Sequence, residues 1–424
     1  MSQTTIFDEL ESQVRSYCRN WPVVLATAEG STVTTEDGRE YLDFFAGAGV
    51  MNYGHNHPEL TEPLIDYLRS GAIVHSLDMH TVAKREFLTS FRDYVLKPRG
   101  LDYKVMFPGP TGTNSVESAL KLARKVTGRQ HILSFTNAFH GMTLGALSVT
   151  GNSMKRQGAG LPLTNTSKIP YDNYFSGAVE DFLWLERVLE DSGSGVDLPA
   201  AIIVETVQGE GGLNAARPEW LRALADLCKA HEILLIVDDV QAGVGRTGTY
   251  FSFEEAGITP DIVCLSKALS GYGLPMALTL VRPDLDQWEA GEHNGTFRGH
   301  NPAFVTGAAA LKRFWADDTF EKQVQERAAE LRDGLQKIAD GYENAVVKGR
   351  GMLTGIEFPD KEAAGKIAAA AFRRGLLVET SGPDSEVLKT MPPLTITSEE
   401  VRRGLGIIAD AAADVLGDPV TTAA

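Results

Sequence analysis

Three short apolar runs in the middle of the chain, AAIIVE (200–205), ILLIVD (233–238) and DIVCLSK (261–267), constrain the fold more than any other feature. Each is aliphatic and β-branched without polar alternation, the pattern of strands covered on both faces in a helix-flanked parallel sheet. Each also ends in an ionisable residue: Glu205, Asp238 and Lys267. In open α/β sheets, ligands lie beyond the carboxyl ends of the strands. Three functional groups at three strand ends therefore predict one shared crevice.

Between about residues 100 and 300, short apolar segments alternate with helix-period ones, which predicts βα units and a mostly parallel central sheet. A chain of 424 residues exceeds what one core usually supports, so two domains are expected. Asp37-Gly38 in TVTTEDGREYLDF predicts a hairpin near the N-terminus. Beyond residue 320 the pattern predicts amphipathic helices, a Gly-rich turn at 348–351 and a strand in GMLTGIEF. The two ends, 1–55 and 313–424, are expected to form a smaller α+β domain beside a large domain of 56–312.

Composition narrows the function classes. Hydrophobic residues at 43% and charged residues at 23% are ordinary for a soluble globular protein. A net charge of −16 argues against a nucleic-acid surface, which needs basic patches. Cys18, Cys228 and Cys264 are scattered, with neither disulfide nor zinc spacing, which fits a reducing cytoplasm. The opening MSQTTIFDELESQ lacks the basic-then-apolar order of a signal peptide, and no run approaches the roughly 18 apolar residues of a membrane span. A cytoplasmic protein with no membrane or nucleic-acid partner is expected.

In FPGPTGTNSVESALKLARKVTG (107–128), Gly109, Gly112 and Thr113 precede an amphipathic helix. Asn114 with Glu117 predicts a capping box and Gly128 the stop. Such a loop offers free N–H groups and a favourable dipole to a phosphate, although a well-capped helix alone has the same pattern. No lysine follows in P-loop fashion, which argues against an NTPase. GVGRTG (243–248) matches the dinucleotide spacing, but TYFSF follows where a helix should start, so the match reads as chance. His55 and His57 in GHNHP lie in a turn with no third ligand at a recognisable spacing, and a structural turn is the better reading. Phe139 beside His140 and Gly141 could stack on a planar ligand, a core aromatic being the plain alternative.

A lysine closing a buried strand is unusual because burial disfavours its charge. The same desolvation makes Lys267 a nucleophilic amine, and ALSGYGLP after it lets a ligand approach closely. A surface lysine at a strand end is the bland reading. Asp238 likewise needs a partner if buried: a protonated pyridine nitrogen or a structural salt bridge would serve.

In order along the chain, ETVQGEGG (205–212), IVDDVQAGVGRTG (236–248), LSKALSGY (265–272) and GTFRGHNP (295–302) resemble the class III (ω-amino-acid) aminotransferases. The likeness runs from TEDGREYLDF to MPPLTI and implies an α/β fold of the fold type I transferases, with pyridoxal 5′-phosphate as cofactor. By that resemblance Lys267 would be the Schiff-base lysine and proton shuttle, and Asp238 the partner of the pyridine nitrogen. Phe139 and Val240 would cover the two ring faces, with His140 beside them, and Gln241 would bind the ring hydroxyl. Gly112 and Thr113 would hold the phosphate, joined by Thr296 from a neighbouring subunit, which implies a homodimer. Glu205 and Glu210 match family glutamates near the cofactor and substrate.

Within the class, IFDELESQVRSYCRNWPVVLATAEGS, AGAGVMNYGHNHPELTEPLIDYL and HNGTFRGHNPAFVTGAAAL resemble the branch that serves ectoine biosynthesis. Its reaction carries the amino group of L-glutamate to L-aspartate 4-semialdehyde, giving L-2,4-diaminobutyrate and 2-oxoglutarate in a ping-pong cycle. A 4-aminobutyrate or ornithine aminotransferase, or an aminomutase, would share every catalytic residue. A non-catalytic protein of this fold would yield no borohydride-fixed adduct on Lys267.

Two positions depart from the family pattern. Many members carry an arginine ahead of the Pro-Pro pair, where it grips the glutamate α-carboxylate; this chain has Lys389, a point charge instead of a bidentate fork. Thr206 stands where a proline usually follows the glutamate. We expect Glu210 to pair with Lys389 for one substrate and to release it for the other. Lys389→Ala should therefore slow the glutamate half-reaction in single-turnover kinetics; an unchanged rate would sink the idea.

Overall fold

The computed structural model describes residues 5–175 and 182–419. Its centre is a seven-stranded sheet in the order Lys104–Met106, Leu278–Val281, Ile262–Leu265, Leu234–Asp238, Ala201–Val204, Ile132–Phe135, Thr166–Ile169. Only Leu278–Val281 runs against its neighbours, so the sheet is mostly parallel, as expected. The three apolar runs form adjacent strands in register, with Ile203 opposite Ile236 and Ile236 opposite Ile262.

The lack of polar alternation has the predicted cause. Ile203, Ile236 and Ile262 pack on one face with Val116, Leu120 and Ala123 of the helix Gly112–Thr127. Ile202, Leu235 and Val263 pack on the other face with Trp220, Leu221 and Leu224 of the helix Pro218–Ala230. Both faces are thus shielded, and polar groups can stand only at strand ends.

The chain ends meet in two further sheets. Leu25–Glu29, Thr32–Thr35 and Glu40–Asp43 form an antiparallel set, to which Leu376–Leu377 adds in parallel. The Asp37-Gly38 hairpin is present, with Gly38 at φ 82°. The strand Leu25–Glu29 was not legible as one. Four antiparallel strands, Val346–Arg350, Leu353–Glu357, Val387–Thr390 and Glu379–Ser381, make the second sheet, backed by the helices Thr319–Ala339, Ala363–Arg373 and Ser398–Leu416.

Two local expectations are corrected. Residues 348–350 belong to a strand, and the turn is confined to Gly351-Met352, because the partner strand satisfies the backbone groups that the glycines seemed to free. The cap of Gly112–Thr127 is Thr111, whose side chain accepts from the Asn114 backbone N–H. Glu117 reaches away to Thr143 and the Ala146 N–H, while Gly128 ends the helix at φ 68° as expected. No helix among the described residues is long and apolar enough to cross a membrane.

Arg246, within the glycine-rich GVGRTG, is wholly buried. Its guanidinium donates to the carbonyls of Met352 and Pro392 at 3.2 and 2.6 Å and to Asn52 Oδ1 at 2.5 Å. It therefore ties three distant segments together, and no dinucleotide-binding helix follows it. Arg246→Met leaves three buried acceptors without donors, each costing about 1–3 kcal/mol. A loss of about 3 kcal/mol or more in denaturant unfolding is expected; an unchanged midpoint would mean packing alone holds these segments.

Candidate active site

The strand ends converge as the topology requires. Glu205, Asp238 and Lys267 line one cavity, together with Gly112, Thr113, Phe139, His140, Gly141, Val207, Glu210, Val240, Gln241 and Ala242. Ten of the residues singled out from sequence are in this wall. Two are not. Thr296 is exposed outside it, where its carbonyl accepts from His75 Nε2 at 2.6 Å, and Lys389 lies behind Glu210.

Lys267 follows the strand Ile262–Leu265 at φ 49°, a left-handed conformation that costs a non-glycine residue about 1–2 kcal/mol. From this conformation its side chain enters the cavity, where Nζ donates to the Ala48 carbonyl at 2.8 Å. Burial is the dominant influence on this amine and brings it down to about 8, against the pull of Glu210.

Asp238 accepts from His140 Nδ1 at 2.8 Å and from the Val240 N–H at 3.1 Å. The His140 side chain is fully buried and its Nε2 has no protein partner. Glu205 accepts from the Phe139 N–H at 2.9 Å, and burial, reinforced by Asp238, lifts its carboxyl well above the usual range.

A second cluster adjoins the first. Lys389 Nζ lies 2.9 Å from Glu210 Oε1, 3.0 Å from Glu379 Oε1 and 3.1 Å from the Gly209 carbonyl. Burial pushes the Glu210 carboxyl up, but Lys389 and Lys267 together outweigh it and hold it at about 2. Gln241 Nε2 donates to Ala48 O and Glu210 Oε1 at 3.1 and 3.3 Å, linking the two clusters.

Sequence reasoning missed Glu379. It faces Lys389 across an antiparallel pair. The signal was available: an acid ending the apolar run LLVE, like those that flagged Glu205 and Asp238. Thr206, an unexplained departure, donates to Ser252 Oγ at 2.6 Å and accepts from Arg350 Nη2 at 3.1 Å. His55 pairs with Asp43 at 2.8 Å and His57 precedes the helix Pro58–Arg69, so the two serve the turn.

The lining fits a flat, phosphorylated pyridine. It combines apolar walls at Phe139 and Val240, a buried carboxylate, a buried amine and the N-terminus of a 16-residue helix. Gly112 keeps the cradle open, since a Cβ there would come within 2.8 Å of Val240 Cγ1.

The profile of the family described as aminotransferase class-III matches residues 15–412. The chain belongs to that family. Class III membership makes it a pyridoxal-phosphate aminotransferase. Among curated proteins it is 62% identical over 413 residues to the diaminobutyrate–2-oxoglutarate transaminase of Streptomyces avermitilis, covering 96% of this chain and 97% of that one. It is 60% identical over 412 residues to the enzyme of the same name from Halalkalibacterium halodurans, with 96% of each covered. An ornithine aminotransferase from Toxoplasma gondii, solved with partial occupancy of PLP at its active site, superposes with a TM-score of 0.81 at 26% identity, covering 97% of this chain and 94% of that one.

The Lys267 amine must be neutral to attack an aldehyde. Capture of pyridoxal phosphate by the apoprotein, followed by absorbance, should therefore speed up as pH rises and level off above about 8. A midpoint above 10 would show that burial does not tune this amine.

Proposed function

We propose that the chain moves the amino group of L-glutamate to the aldehyde carbon of L-aspartate 4-semialdehyde, giving L-2,4-diaminobutyrate and 2-oxoglutarate. We place this step in ectoine synthesis, in the cytoplasm, with a homodimer as the active unit. The observation that carries the reading is the Lys389–Glu210 pair beside Lys267. Glutamate brings a carboxylate next to its reacting carbon; the semialdehyde brings only hydrogen there. A buried cation that is covered by Glu210 for one substrate and bared for the other suits both. The names of the near-full-length relatives support the same substrates.

Bound pyridoxal phosphate supplies an aldehyde that captures amines and a protonated ring that draws electrons from the carbon beside the captured nitrogen. Lys267 would hold it covalently, with Asp238 on the ring nitrogen and His140 keeping that carboxylate oriented. Phe139 and Val240 would enclose the ring, Gln241 would meet its hydroxyl, and Gly112 and Thr113 would bind the phosphate. Thr296, off its own cavity, would complete the phosphate site of the neighbouring subunit. Once displaced by substrate, neutral Lys267 Nζ takes the proton from the reacting carbon and returns it on the other side of the transfer. Burial, reinforced by Asp238, pushes the Glu205 carboxyl towards its neutral form, which eases the charge beside Asp238.

A half-reaction screen tests this. Glutamate and 2,4-diaminobutyrate should each convert the cofactor's aldehyde band, and 4-aminobutyrate and ornithine should be poor donors. Faster conversion by ornithine would reassign the substrate. Lys267→Ala should bind cofactor yet lose about a hundredfold or more in proton transfer.

A further inference from the structure

The segment between the strand Ile132–Phe135 and the helix Leu144–Val149 carries Phe139 and His140, both in the cavity wall. Two glycines, Gly141 and Gly145, let it lie against the helix Gly112–Thr127. A Cβ at Gly141 would come within 2.5 Å of Thr113 Oγ1 and 2.8 Å of Thr113 Cβ, and one at Gly145 would run into the Glu117 carboxylate. Thr113 and Glu117 are four residues apart, so both stand on one face of that helix and meet the segment together. Between them lies Thr143, whose Oγ1 is 2.7 Å from Thr113 Oγ1 and 2.5 Å from Glu117 Oε1. Glu117 Oε1 also accepts from the Ala146 N–H at 3.0 Å.

These contacts have a direction. A carboxylate only accepts, so the one proton of Thr143 goes to Glu117, and the Thr143 oxygen accepts from Thr113. The Thr113 hydroxyl is thereby turned onto its neighbour. What Thr113 offers a phosphate is its backbone N–H, which has no acceptor within the first turn of its helix. The Ala146 N–H is the same kind of orphan, since Thr143, the N-cap of Leu144–Val149, makes no side-chain cap. Glu117 supplies the missing acceptor from another element. It does not line the cavity itself, so it acts there only through the residues it holds. We propose that Glu117 is a positioning residue for the cofactor. It locks the segment that carries Phe139 and His140 to the helix that opens on the phosphate, so the ring and phosphate ends of the site keep one spacing. The proposal rests on the cofactor placement stated above.

The test uses the holoenzyme with Glu117→Ala, Glu117→Gln and Gly145→Ala. Two readouts are followed: loss of pyridoxal phosphate on dialysis, by absorbance, and the visible circular dichroism of the cofactor that stays bound. Glu117→Ala should speed cofactor loss about tenfold, the effect of one lost hydrogen bond, and should weaken the dichroic signal. Glu117→Gln keeps an oxygen acceptor for Thr143 and Ala146 and should stay within about twofold of the unaltered protein. Gly145→Ala retains Glu117 but displaces its carboxylate, so it should reproduce Glu117→Ala even though alanine is the better helix former. Denaturant unfolding of the apoprotein isolates a role in stability alone. A Glu117→Ala protein with a lowered midpoint but unchanged cofactor loss and dichroism overturns the proposal. So does a Glu117→Gln protein as impaired as Glu117→Ala, or a Gly145→Ala protein that behaves like the unaltered one. If the unaltered protein itself retains no pyridoxal phosphate, the cofactor placement is misread and this inference falls with it.

Discussion

Desolvation at the carboxyl end of the central sheet governs much of this molecule. Apolar residues cover both faces of strands Ala201–Val204, Leu234–Asp238 and Ile262–Leu265, so the ionisable groups that end these runs are drawn into a poorly hydrated crevice. There the charged form of each group is costly unless matched. Asp238 is matched by His140, Glu205 is pushed towards its neutral acid, and Lys267 towards its free amine. The same environment that makes these groups expensive to bury makes them chemically useful.

The crevice is completed from outside the parallel sheet. Ala48, in the N-terminal part of the chain, receives the Lys267 amine, and Lys389 and Glu379 come from the C-terminal sheet. Arg246 stabilises this assembly by satisfying acceptors at Asn52, Met352 and Pro392. Buried cations thus serve both the fold and the site, and each is defined by its partners. A guanidinium among carbonyls is a tie, and a lysine between two carboxylates is a matched charge.

The strands and their functional ends were legible because periodicity and end-residue chemistry are local properties. The hairpin at Gly38 and the stop at Gly128 were legible for the same reason, since each needs a backbone conformation that glycine adopts readily. The cap at Thr111 was misplaced onto Asn114 because both candidates carry suitable side-chain oxygens, and only the backbone at Thr111 leaves the helix. The turn at 348–351 was read too broadly because glycines in an antiparallel pair look, in sequence, like glycines in a loop.

The sequence by itself determined where the Lys267 amine would lie. A lysine ending an apolar strand, an acid ending its neighbour and a Gly/Thr loop opening a helix specify those groups and the end of the sheet where they gather. The tertiary structure decided which charges are paired. Glu379 faces Lys389 only through the register of two strands, and Lys155 reaches Phe139 only through the packing of a short helix. Such pairings join residues with no local sequence relation, and their strength depends on burial that no single segment sets. The amine at Lys267 could therefore be read from the strand that carries it, whereas the pairing of Lys389 with Glu210 and Glu379 could be read only from the fold.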